Sequence, residues 1–242
     1  MKSSFVFCLY GFVRNAPEHT FDFSSYPKYA YCPKIKYEDK LEETSLGEFQ
    51  TRFGEDYCNV FLYENYDRSK FTSLVESLNV PVKEERKPSH DGIFSYFYHV
   101  KKVLEYYLSK KPNSDPDDII ILMRSDISVD SIDLDSIANT LEEFEVKVQG
   151  MGKDVIADKY FCFKRKYIKT FINLYDSYKD YLVKFYDKTT PSNKKPKHTF
   201  PEYIFWYHIT NNNLKIKNKE EDFVFKFKHI CNPYCKHKYL PK

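Results

Sequence analysis

The chain has 242 residues, 42% of them apolar and 30% charged, with a formal net charge of +3. These values exclude a disordered chain and allow a substantial core in one large domain. No apolar run reaches the roughly 18 to 20 residues that a bilayer span needs. The N-terminal apolar run has no small-residue cleavage site, so a cytoplasmic protein without membrane span or signal peptide is expected. Charge is unevenly placed: residues 1–163 carry 20 Lys and Arg against 28 Asp and Glu, and residues 164–242 carry 18 against 7. A basic C-terminal third suits a phosphate-bearing ligand, an anionic surface or solvated helix faces. Its lysines are scattered singly and form no nucleic-acid module, so nucleic acid is not an expected partner.

Ser4 to Val13 is a continuous apolar run with β-branched and aromatic residues, the pattern of a strand buried on both faces. Arg14 to Tyr37, rich in Pro, Ser and Tyr, reads as irregular. A helix is expected over Ser45 to Phe53, then a strand over 57–63. Helical spacing of Phe71, Leu74, Val75 and Leu78 predicts a helix over Ser69 to Leu78, followed by a short strand at Val80–Lys83. Asp91 reads as the cap of a long helix that Pro112 stops. Asp115-Pro116-Asp117-Asp118 is a turn into the central strand Ile119–Met123. A helix and a strand are expected between Asp135 and Val148, a strand at Tyr160–Phe163 and a long aromatic helix from Tyr167 to Phe185. A polar loop, Lys188 to His198, leads to a helix from Glu202 to Thr210, and two short strands, 214–216 and 223–227, close the pattern. Strands alternating with helices predict an α/β fold in a single domain. Its sheet would be mainly parallel and Rossmann-like, with helices on both faces.

Ligands of such sheets bind beyond the C-terminal ends of the strands, at a switch in strand order. Arg14 follows the first strand and Arg124-Ser125-Asp126 follows the central one. A guanidinium there can grip a diphosphate, and an aspartate can hold a bridging divalent cation or pair with the arginine. Neither GxGxxG nor GxxxxGK[ST] occurs, which argues against a dinucleotide oxidoreductase or a P-loop kinase. Four of the six cysteines are isolated, as buried free thiols are. In the tail, at about 228–242, His229, Cys231, Cys235 and His237 fall within nine residues. That spacing admits zinc, a local disulfide or no bond at all.

The order of these features resembles the GT-A-type glycosyltransferases of bacterial surface-polysaccharide clusters and large DNA viruses. The resemblance rests on Gly11-Phe12-Val13-Arg14 after a strand, the strand led by Asp56, and the helical run Ser95-Tyr96-Phe97-Tyr98 through Lys102. Arg124-Ser125-Asp126 and Ile156-Ala157-Asp158 complete it, so that it spans about residues 4 to 210. It implies transfer of a sugar from a nucleotide-diphosphate sugar to a glycan or glycoprotein acceptor, in the host cytoplasm if the source is a virus. It further implies nucleotide-sugar contacts from Gly11, Arg14, Arg124 and Asp126, with Mn2+ or Mg2+ on Asp126 and a C-terminal histidine such as His208 or His229. Asp158 would lie on the acceptor side as the catalytic carboxylate. One carboxylate stands in Arg124-Ser125-Asp126 where the family's full motif has two. Two other readings stay open: a non-catalytic α/β binding module, and a protein-interaction domain built on a zinc-binding tail.

Overall fold

A computed structural model describes residues 4–12, 19–34, 45–63, 66–82, 88–152, 155–217 and 225–227. Seven strands form one sheet in the order β3-β2-β1-β4-β7-β6-β8. In chain order these are β1 (Phe5–Tyr10), β2 (Lys28–Pro33), β3 (Cys58–Tyr63), β4 (Ile119–Arg124), β6 (Glu145–Gly152), β7 (Val155–Lys164) and β8 (Lys215–Lys217). A separate pair joins β5 (Val129–Ile132) to β9 (Phe225–Phe227). The four strands β3, β2, β1 and β4 are parallel. β7 runs against both β4 and β6, and β6 is parallel to β8. The sheet is therefore mixed, and the expectation of a mainly parallel Rossmann-like sheet needs this correction. β7 is the return arm of a hairpin with β6, which no crossover helix separates, so it has to enter antiparallel.

Helices cover both faces, as expected. Val6, Cys8, Ile120 and Leu122 face one core with α3 (His90–Lys110), α5 (Ile168–Tyr186) and α6 (Pro201–Asn211). Phe7, Leu9, Ile121 and Met123 face the other, with α1 (Leu46–Phe53) and α4 (Leu134–Thr140). Every residue of Ile119–Met123 is buried. A strand packed on both sides needs apolar residues at every position, and this is why β1 and β4 read as unbroken apolar runs. α1 begins in a capping box between Ser45 and Glu48.

Three local expectations need correction. The Pro- and Tyr-rich stretch after Arg14 contains β2, which pairs with β1 and β3. Val80–Val82 is not a strand; its Val82 carbonyl accepts the His90 N–H at 2.8 Å. Asp91 sits in the first turn of α3 and not at its N-cap, which is Ser89. The four described cysteines, Cys8, Cys32, Cys58 and Cys162, are free, and burial pushes the Cys32 thiol up to about 12. No helix among the described residues is long and apolar enough to cross a membrane. The tail cluster of His229, Cys231, Cys235 and His237 lies outside the described residues.

Candidate functional site

β1 has β2 on one side and β4 on the other, so the chain leaves it in one direction and returns on the opposite flank. The crevice beyond the C-terminal ends of β1 and β4 is the switch point of the parallel half. A cavity of about 380 Å³ lies there, and its lining includes Gly11, Arg124 and Asp126. The two strand ends are tied together by Ser125. Its N–H donates to the Tyr10 carbonyl at 2.9 Å, and its hydroxyl reaches the Gly11 and Phe12 carbonyls at 3.3 and 3.2 Å. Gly11 has φ +90, a conformation that disfavours any side chain, and a Cβ there would meet nothing within 4 Å. Conformation, not crowding, calls for glycine at this turn.

Arg124 and Asp126 form a two-pronged ion pair. Nε donates to Oδ1 and Nη2 to Oδ2, each at 2.8 Å. From the other core, Arg52 of α1 supports the same turn, with Nη2 donating to the Ile127 carbonyl at 2.8 Å. Burial pushes Arg52 down to about 10, against the opposing charge of Asp126.

The lining also carries a second guanidinium that sequence reasoning did not single out. Arg68, just ahead of α2 (Ser69–Ser77), donates from Nε to Asp91 Oδ2 at 2.7 Å and from Nη2 to Asp91 Oδ1 at 3.1 Å. Its Nη2 also donates to Ser89 Oγ at 2.7 Å. Thr72 Oγ1 and the Gly92 N–H complete the shell around Asp91. Burial opposes ionisation of Asp91. The bonds from Arg68, Ser89 and Gly92 outweigh it and hold the carboxyl well below the usual carboxylate range. No sequence pattern marks Arg68, because its partner stands in a different helix, 23 positions along the chain.

Aromatic rings form a further part of the lining. Phe12 meets Tyr66 edge-on at 4.8 Å, and Tyr66 stacks on His99 at 6.0 Å. Tyr10 and Tyr96 share a hydroxyl–hydroxyl bond of 2.6 Å, and Tyr66 bonds Ser95 at 2.9 Å. Flat apolar rings with polar edges suit the faces of sugars and bases. His99 is 1% exposed. Its Nε2 meets the Tyr63 hydroxyl, and its ring also bonds the Ser95 backbone. Burial lowers its pKa from 6.5 to about 4, so it is a neutral wall of the cavity.

The unfolded chain protonates this histidine near pH 6.5 and the folded protein only near 4, so its contribution to stability is full above the first value and lost toward the second. The melting temperature is expected to fall as pH drops from 6.5 to 4. His99→Gln is expected to flatten that slope in a melt series. An unchanged slope in the variant would assign the acid sensitivity elsewhere.

Of the residues that sequence reasoning singled out, Gly11, Arg124 and Asp126 come together. Arg14 and His229 lie outside the described residues. Asp158 belongs to β7, two positions before Tyr160, which pairs with Met123. Its backbone is thus at the same end of the sheet as the cavity. His208 is not a metal ligand but a satisfied core histidine: Nδ1 meets the Tyr181 hydroxyl at 2.8 Å and Nε2 the Thr170 carbonyl at 2.7 Å. A divalent cation needs several oxygen ligands. Both oxygens of Asp126 are engaged by Arg124. Among the described residues, no three His, Cys, Asp or Glu side chains converge on a point. As placed, this donor set does not fit Mn2+ or Mg2+.

No family model matches the chain and no curated protein does. A solved chain described as "Structure of Transferase mutant" is similar over 95% of this chain and 92% of its own length, at 8% identity and a TM-score of 0.34.

Proposed function

We propose that the protein is a glycosyltransferase, moving a sugar from a nucleotide-diphosphate sugar to a hydroxyl of a glycan or glycoprotein acceptor. The observation that carries this reading is the cavity at the switch point, lined by two guanidinium groups and by aromatic rings. Guanidinium groups match the diphosphate, and the rings match the sugar and the base. In the reaction, the acceptor oxygen bonds to the anomeric carbon while the bond from that carbon to the diphosphate oxygen breaks. The leaving oxygen keeps the electron pair, and positive side chains aimed at it stabilise the charge that develops. Arg124 fills that role, with Arg14 on the nucleotide side. Asp158 takes the acceptor proton as general base.

A thermal-shift panel of nucleotide sugars, with and without manganese, tests the reading. A ligand that binds only the folded state raises the melting temperature by mass action. At least one nucleotide sugar is expected to do so, and a flat response across the panel would contradict the proposal. Asp158→Asn is expected to keep that shift and to lose at least a hundredfold in release of nucleoside diphosphate, the lower end of a general base's contribution of about 10²–10⁴. Full turnover in this variant would remove Asp158 from the mechanism. A shift with no turnover under any acceptor condition would favour the binding-module reading.

A further inference from the structure

We infer that the cavity binds its diphosphate without a divalent cation, through Arg68 and Arg124 of its lining. This rests on the reading of the cavity as a nucleotide-sugar site and names how that ligand's charge is met. Both guanidiniums line the cavity, each held by a carboxylate: Arg124 by Asp126, and Arg68 by Asp91 together with Ser89. Side-chain exposure separates the roles within each pair. Arg68 is 49% exposed over an Asp91 that is 7% exposed, and Arg124 is 29% exposed over an Asp126 that is 10% exposed. In both pairs the guanidinium is the more exposed partner.

Among the described residues of the lining, the ionised side chains are Arg68, Arg124 and Asp126, with His99 neutral. The N–H donors of the two more exposed guanidiniums suit a diphosphate and not a divalent cation. A metal on Asp126 would have to share its carboxylate with Arg124, which already holds both oxygens. Gly92 is part of the same device. A Cβ at that position would stand 3.2 Å from Ser89 Oγ, so this hydroxyl, which holds Arg68, would have to shift by a few tenths of an ångström; Arg68 Nη2, at 3.7 Å, would be in ordinary contact.

Inorganic pyrophosphate is the probe, titrated calorimetrically into the full chain once with EDTA and once with excess Mn2+. Affinities within threefold of each other are expected. Arg68→Gln is expected to weaken binding at least tenfold, and also to lower the melting temperature of the ligand-free protein, because the buried Asp91 loses its two-pronged partner. A lowered melting temperature with unchanged pyrophosphate affinity would make Arg68 structural and overturn the inference. Should Arg68→Gln not fold, Gly92→Ala replaces it, with a loss of threefold or more expected and unchanged affinity counting against the proposal. Binding seen only with Mn2+ would overturn the cation-free site and leave the glycosyltransferase reading standing. No pyrophosphate binding in either buffer also overturns it, and the wider reading falls with it only if the nucleotide-sugar panel is flat as well.

Discussion

Arg124→Ala is expected to cost at least thirtyfold in nucleotide-sugar affinity. The substitution removes a positive charge from the cavity and leaves Asp126, 10% exposed, without that guanidinium. Truncating one side of a hydrogen-bonded charge pair between protein and ligand, here Arg124 and the diphosphate, costs about 2–5 kcal/mol, and roughly 1.4 kcal/mol is a factor of ten. Arg124→Lys should recover only part of the loss, since an ammonium cannot span both oxygens of Asp126 as the planar fork does. Calorimetric titration of both variants checks this. Wild-type affinity in Arg124→Ala would reduce the Arg124–Asp126 pair to a structural tie between β4 and its turn.

The second large effect is on stability. Phe97 is fully buried on α3, with its ring 5.1 Å from Tyr178 of α5 and 5.2 Å from Phe205 of α6. It is the contact where three helices meet over the sheet. Phe97→Ala should destabilise by about 3–5 kcal/mol, combining lost burial with the cavity left behind. At about 2–4 °C for each kcal/mol in a chain of this size, the melting temperature should fall by roughly 6 to 20 °C. Tyr96, the next residue, lines the ligand cavity and lies 5.6 Å from the Phe97 ring. Ligand affinity is therefore expected to weaken in the same variant. A drop of under 3 °C in a calorimetric melt would show that the helices repack around the void.

How much of this could be read from the chain differs from element to element. β1 and β4 were legible because burial on both faces demands apolar residues throughout, and the turns after them placed Gly11, Arg124 and Asp126. α3 was legible from its aromatic stripe and from Pro112. β2 was not: Lys28-Tyr29-Ala30-Tyr31-Cys32-Pro33 starts on a lysine, ends on a proline and follows another. Lys28 is nonetheless fully buried, because its ammonium donates to the Phe23 carbonyl at 2.6 Å and to the Ser24 carbonyl at 3.4 Å. Local propensity yields there to pairing with strands on both sides. β5 is four residues long and its partner β9 lies about 95 positions away, so no local pattern announces it.

The same limit applied to the site. Strand ends can be found from sequence, and the residues they carry came with them. Arg68 could not, since a lone arginine between Asp67 and Ser69 looks like any polar helix start. Asp91 was read as a helix cap, a role that sequence patterns describe well. Its carboxylate instead anchors Arg68, a long-range pairing visible only once α2 and α3 are packed.

The central claim is that the cavity beyond β1 and β4 is where a nucleotide sugar binds. Hydrogen–deuterium exchange with the nucleotide sugar that gives the largest thermal shift tests it most directly. Slower exchange is expected in peptides covering 10–12, 66–68, 89–99 and 124–126, with α4 at 134–140, on the other face of the sheet, unchanged. Protection confined to other segments, with these four unaffected, would contradict the account.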